Sequence, residues 1–175
     1  MSIYDQIQDC VGRGSLFPWR PALPFTSPVR DIFVSKSIKD FIDGPWINDS
    51  QEQRAGHLQA DLDSFIGGDN IVVSMTPTKA RSAYMGLLNP TSDGVWDIRS
   101  RDPKPGIRVF GRFAEKDVFV ALVWCERSPL GATDSRQWRD VIEQCKTEWR
   151  NRFHAYQAIC GDNVHDYLSN NFVVV

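Results

Sequence analysis

Between Val95 and Arg127 the chain alternates apolar and polar positions in three runs separated by two breaks. In the first run, Val95 to Arg101, Trp96 and Ile98 fall on one side while Asp97, Arg99 and Arg101 fall on the other. That is the period-two pattern of a half-buried strand. Asp102-Pro103-Lys104-Pro105-Gly106 interrupts it, because proline lacks the ladder donor and fixes φ. In the second run, Ile107 to Ala114, Ile107, Val109, Gly111 and Phe113 share one face and Arg108, Phe110 and Arg112 the other. After the polar turn Glu115-Lys116-Asp117, the third run, Val118 to Trp124, is apolar on both faces. A strand of that kind belongs in the middle of a sheet. The three runs predict an antiparallel meander with Arg99, Arg101, Arg108 and Arg112 on one side.

The remaining periodicity places helices around this meander. A short helix is expected at Ile3 to Val11, followed by a Pro- and aromatic-rich arm through Phe17, Trp19 and Phe25. The four prolines of that arm forbid a regular helix, so it reads as extended chain that buries its aromatics. Polyproline docking of a partner is the sharper alternative. Asp31 to Ser35 reads as a strand, and Ser37 caps a helix ending at Gly44-Pro45. A second helix, from Asn48 or Ser50 to Phe65, aligns Leu58, Leu62, Phe65 and Ile66 and stops at Gly67-Gly68. Ile71 to Met75 reads as a strand and Thr78 to Leu88 as a short helix. From Asp134 or Ser135 to about Ile159, Trp138, Ile142, Cys145, Trp149 and Phe153 recur at helical spacing. With strand 31–35 joined to the meander by two helices, it is expected to lie parallel to Val118–Trp124. The expected class is α+β: a small antiparallel-dominated sheet, one N-terminal strand plus the three-stranded meander, packed with helices. The expected organisation is an arm at 1–30, one domain at 31–160 and a tail at 161–175.

Composition narrows what such a domain does. With 175 residues and 42% hydrophobic content the chain can bury a core. A net charge of −2 argues against coating nucleic acid wholesale. Residues 1–70 are acid-rich and the remainder base-rich, so any anion site is local. Cys10, Cys125, Cys145 and Cys160 form no CxxC pair, which reads as reduced thiols in a cytoplasmic protein. No apolar run approaches the ~20 residues that span a bilayer. His57, His154 and His165 are scattered, and His154, Cys160 and His165 match no zinc spacing. No metal or cofactor is expected. Thr76-Pro77-Thr78-Lys79 lacks the glycines of a phosphate loop.

The segment Asp31-Ile32-Phe33-Val34-Ser35-Lys36-Ser37-Ile38-Lys39-Asp40-Phe41, a second helix, then Val95-Trp96-Asp97-Ile98-Arg99 and Ile107-Arg108-Val109-Phe110 resemble the RelE/ParE/HigB superfamily of small bacterial toxins over roughly residues 31–128. The resemblance implies a RelE-like fold and an endoribonuclease or RNA-binding activity directed at RNA or the ribosome, with an antitoxin protein as partner. It places Arg99, Arg101 and Arg108, with Arg112 beside them, as RNA phosphate ligands, and Arg108, Glu126 and Arg127 as candidate catalytic residues. Arginine suits the phosphate task because its planar fork grips phosphate bidentately, but cleavage also needs a group that moves the ribose proton. Ser128 to Thr133 contains no Tyr, His or Lys. Glu126 is then the ordinary titrating group nearby. Two alternatives stand beside this reading. The arginines pair with Asp97, Asp102 and Glu115 as plain surface charges, or the scaffold is a non-catalytic interaction module, phage- or mobile-element-associated, that docks another protein.

Overall fold

The computed structural model describes residues 1–21, 27–77 and 82–175. The meander forms where alternation places it: β5 (Val95–Ser100), β6 (Ile107–Glu115) and β7 (Val118–Glu126) pair antiparallel in sequence. Strand β2 (Asp31–Ser35) lies parallel to β7, with Ile32 opposite Phe119 and Val34 opposite Ala121. The crossover between them contains α2 (Lys36–Asp43) and α3 (Asp49–Gly67). Asn48 caps α3 by accepting from the Gln51 amide, and Gly68 ends it in the left-handed conformation at φ 78°.

The expected small, antiparallel-dominated, RelE-like sheet is corrected by four further strands. Strand β1 (Leu16–Pro18) adds antiparallel to β2. Beyond β5, β4 (Met85–Leu87) adds antiparallel, β3 (Ile71–Ser74) pairs parallel with β4, and β8 (Phe172–Val174) pairs parallel with β3. Among the described residues the result is one mixed eight-stranded sheet in the order β1-β2-β7-β6-β5-β4-β3-β8, accompanied by four α-helices. The segment expected as a helix at Thr78 to Leu88 ends instead in β4; its residues 78–81 lie outside the described residues, as does Phe25 of the arm. Of these, β3 lies where a strand is expected at Ile71 to Met75; β1, β4 and β8 are three residues long, too short for period two to separate them from loop.

Both faces of the sheet are covered. On one, Ile38, Phe41, Leu58, Leu62 and Phe65 of α2 and α3 pack on Ile32, Val34, Trp96, Ile98, Val109 and Phe113. On the other, Ile3, Ile7 and Cys10 of α1 (Ile3–Gly12) and Trp138, Ile142, Cys145 and Trp149 of α4 (Arg136–Arg152) pack on Phe33, Phe110, Val120 and Leu122. Helix α4 stops at Arg152, short of the expected Ile159, and Phe153 continues the buried stripe from outside it. Arg30, 2% exposed, ties the end of α3 to the chain before β8. It donates to the carbonyls of Phe65 and Asp69 on one side and to those of Asn170 and Asn171 on the other.

One irregularity in the sheet decides where the chemistry-bearing side chains point. Phe110 pairs with Val123 but Gly111 pairs with Ala121, so Leu122 is an extra residue in β7. Such a bulge reverses the inside-outside alternation beyond it. Gly111 belongs here because a Cβ would sit 2.3 Å from the Val120 carbonyl oxygen.

Candidate functional site: a basic cleft at the strand ends

Asp97 points toward the α4 side of the sheet and is fully buried. Its carboxylate accepts from Arg99 Nε at 3.0 and 3.1 Å. Arg108 Nε lies 3.2 Å from Asp97 Oδ2, an ion pair without hydrogen-bond direction. Room for the Arg99 guanidinium comes from Gly86 on the neighbouring strand, where a Cβ would stand 2.5 Å from Arg99 Nη2. Burial pushes the Asp97 carboxyl up, against the pull of Arg99 and Arg108. The like-charged pair Arg99 and Arg108, directly opposite each other in β5 and β6, is thereby bridged by a carboxylate.

Past Asp97 the sheet ends in an excess of positive charge. Arg101 leaves β5, Lys104 sits in the turn, Arg108 opens β6, and Arg127 follows β7. Together with Pro105, Gly106 and Ser128 they line one cleft of ≈ 510 Å³. Two bonds to backbone carbonyls close the site: the Arg127 amide donates to the Gly106 carbonyl at 2.7 Å, and Lys104 Nζ donates to the Arg101 carbonyl at 2.8 Å. Arg101 Nη2 donates to the Ala83 carbonyl at 2.6 Å, and the Arg127 guanidinium lies over the Trp138 ring, 5.6 Å from its centroid. Arg108 is lowered to about 10, chiefly by burial, with Arg99, Arg101 and Arg127 adding to the effect and Asp97 opposing it. It remains cationic at neutral pH, and an added anion lowers the energy of that charge. Asp102, next to Arg101 in sequence, makes an exposed pair with Lys104 at 3.8 Å.

The expected site residues therefore divide. Arg101, Arg108 and Arg127 share the cleft, and Arg99 stands behind Arg108 on Asp97. Arg112 is elsewhere: 7% exposed, it donates to the Asp93 carbonyl at 2.6 Å and lies 5.3 Å from the Trp149 ring centroid. Glu126 is turned to the α3 side, paired with Arg54 Nη1 at 2.6 Å. The bulge at Leu122 is the cause. With unbroken alternation Glu126 would share the face of Val118 and Val120; beyond the extra residue Cys125 takes that face, opposite Arg108. Burial pushes the Cys125 thiol up to about 11, which disfavours the thiolate.

Lys104 is the cleft residue that strand reasoning passes over. Its signal is a lysine in a proline-flanked turn between two arginine-bearing strands. The four cysteines are free thiols. Among the described residues no three His, Cys, Asp or Glu side chains are placed to hold a metal ion, and no helix is long and apolar enough to cross a membrane. Comparison with known proteins adds no relative: no family model, no curated protein and no solved structure matches the chain.

Proposed function

We propose that this protein binds the phosphate groups of single-stranded RNA in the cleft of Arg101, Lys104, Arg108 and Arg127. The observation that carries the reading is four cations, three from the stretch 101–108 and one from the end of β7, converging on one cleft whose other lining residues bear no charge. Arginine forks and a lysine ammonium are the usual phosphate ligands. RNA is the polymer to which the resemblance to RelE-like toxins points; a cytoplasmic location, an antitoxin that covers the cleft with acidic side chains, and toxicity on expression belong to the same reading. The cleft is small and the molecule's net charge is −2, so it engages a few phosphates and not a long track. Binding is favoured over cleavage because Glu126, the expected base, is engaged by Arg54 on the other side of the sheet.

The test is fluorescence anisotropy with a labelled ten-nucleotide oligoribonucleotide at low salt. The intact protein should bind it, and Arg101→Ala, Lys104→Ala and Arg127→Ala together should weaken binding at least about tenfold, the effect of losing about 1.4 kcal/mol of charged hydrogen bonding. Absence of binding by the intact protein, or unaltered binding by a folded triple variant, contradicts the reading.

A further inference from the structure

A second cleft, ≈ 390 Å³, adjoins the basic one, and Arg101 is in the wall of both. Its other side is built by α3, where His57 and Asp61 stand one turn apart with Ser64 beyond them; Asn70, Tyr84, Arg99 and Asp102 complete much of the lining. Arg101 is held between the two clefts by the Ser82 and Ala83 carbonyls, at 3.3 and 2.6 Å. Tyr84 is fixed in turn, its hydroxyl donating to the Asp61 carbonyl at 2.5 Å.

The two clefts differ in chemistry. The first offers positive charge alone, whereas the second sets Asp61, Asp69 and Asp102 against Arg99 and Arg101 and adds His57, Ser64 and Asn70. Three carboxylates repel a second phosphate. Neutral polar groups meet no such penalty, since a carboxylate accepts from hydroxyls and the amide and imidazole supply both donors and acceptors. A cleft of this volume lies in the range of small-ligand sites, and its polar lining offers hydrogen bonds to the hydroxyls and base edge of a nucleoside. Asp61 is half-buried, with burial raising its carboxyl against the hydrogen bond from Ser100 and the charges of His57 and Arg101.

Resting on the phosphate-binding reading above, we infer that the His57–Asp61 cleft is a nucleoside subsite: one ribonucleotide unit straddles Arg101, its phosphate in the basic cleft and its sugar and base against α3. Asp61 accepts from ribose hydroxyls and His57 contacts the base or sugar edge. The 2′-hydroxyl is the group by which a protein separates RNA from DNA at a given site, so this subsite makes the protein prefer RNA.

The experiment compares three probes on the intact chain by titration: inorganic phosphate, a five-nucleotide oligoribonucleotide, and the oligodeoxyribonucleotide of matching sequence with uracil in place of thymine. The variants are His57→Ala, at an exposed position, and the near-isosteric Asp61→Asn. The expected result is an oligoribonucleotide preference of about tenfold, the scale of one hydrogen bond to a charged group, which both variants diminish while phosphate affinity is not reduced. Equal affinity for the two oligonucleotides, or an undiminished preference in both folded variants, overturns the subsite but leaves the phosphate cleft standing. Failure of phosphate and both oligonucleotides to bind overturns the cleft and the subsite together.

Discussion

A carboxylate taken fully out of water costs several kcal/mol unless neighbouring charges offset it, and at Asp97 the neighbours are Arg99 and Arg108. The arrangement is reciprocal: without Asp97, two largely buried guanidinium groups facing each other across β5 and β6 would have no carboxylate between them. Asp97→Ala is therefore expected to cost about 3–5 kcal/mol in urea denaturation, as removal of one partner from a buried ion pair does. Asp102→Ala, which removes an exposed carboxylate from beside Lys104, should change stability by less than about 0.5 kcal/mol. Similar losses in the two variants would contradict the view that Asp97 anchors the arginines.

Elements with long periodicity were legible in the sequence, and those that depend on one residue were not. The apolar stripe of α4 is one that was: Trp138, Ile142, Cys145 and Trp149 all face the sheet, and Trp149 Nε1 donates to the Tyr156 carbonyl at 3.0 Å. Trp149→Ala should cost about 3–5 kcal/mol, while Arg150→Ala, exposed and bonded only locally to Thr147, should cost no more than about 0.5 kcal/mol. Equal effects would mean that the helix is docked by another face. In β7 the run Val118 to Trp124 is apolar at every position, so period two cannot reveal that Leu122 is extra. That single residue moves Glu126 away from Arg108 and changes the reading of the site from cleavage to binding. Strand β3 was legible as Ile71 to Met75, but β4 and β8, three residues each, offered no period at all, and the parallel pairing of β3 with β8 joins segments distant in sequence.

At the scale of the molecule, the sheet is covered on both faces, so its arginines do not form an open platform for a nucleic-acid strand. Arg112 goes beneath α4 and Arg99 to Asp97, leaving positive charge concentrated where β5, β6 and β7 end. The local charge imbalance seen in the sequence thus corresponds to a cleft of limited reach. Such a cleft predicts an affinity with shallow dependence on salt. Each phosphate neutralised on a single strand contributes about −0.7 to the slope of log K against log salt concentration. For two or three phosphates the expected slope is roughly −1.4 to −2.1. The most direct test is that slope, measured with a ten-nucleotide oligoribonucleotide for the intact protein and for the folded variant carrying Arg101→Ala, Lys104→Ala and Arg127→Ala. The expected result is a slope of about −1.4 to −2.1 that falls toward zero in the variant; a slope unaltered by the three substitutions would place the RNA elsewhere and contradict a phosphate site in this cleft.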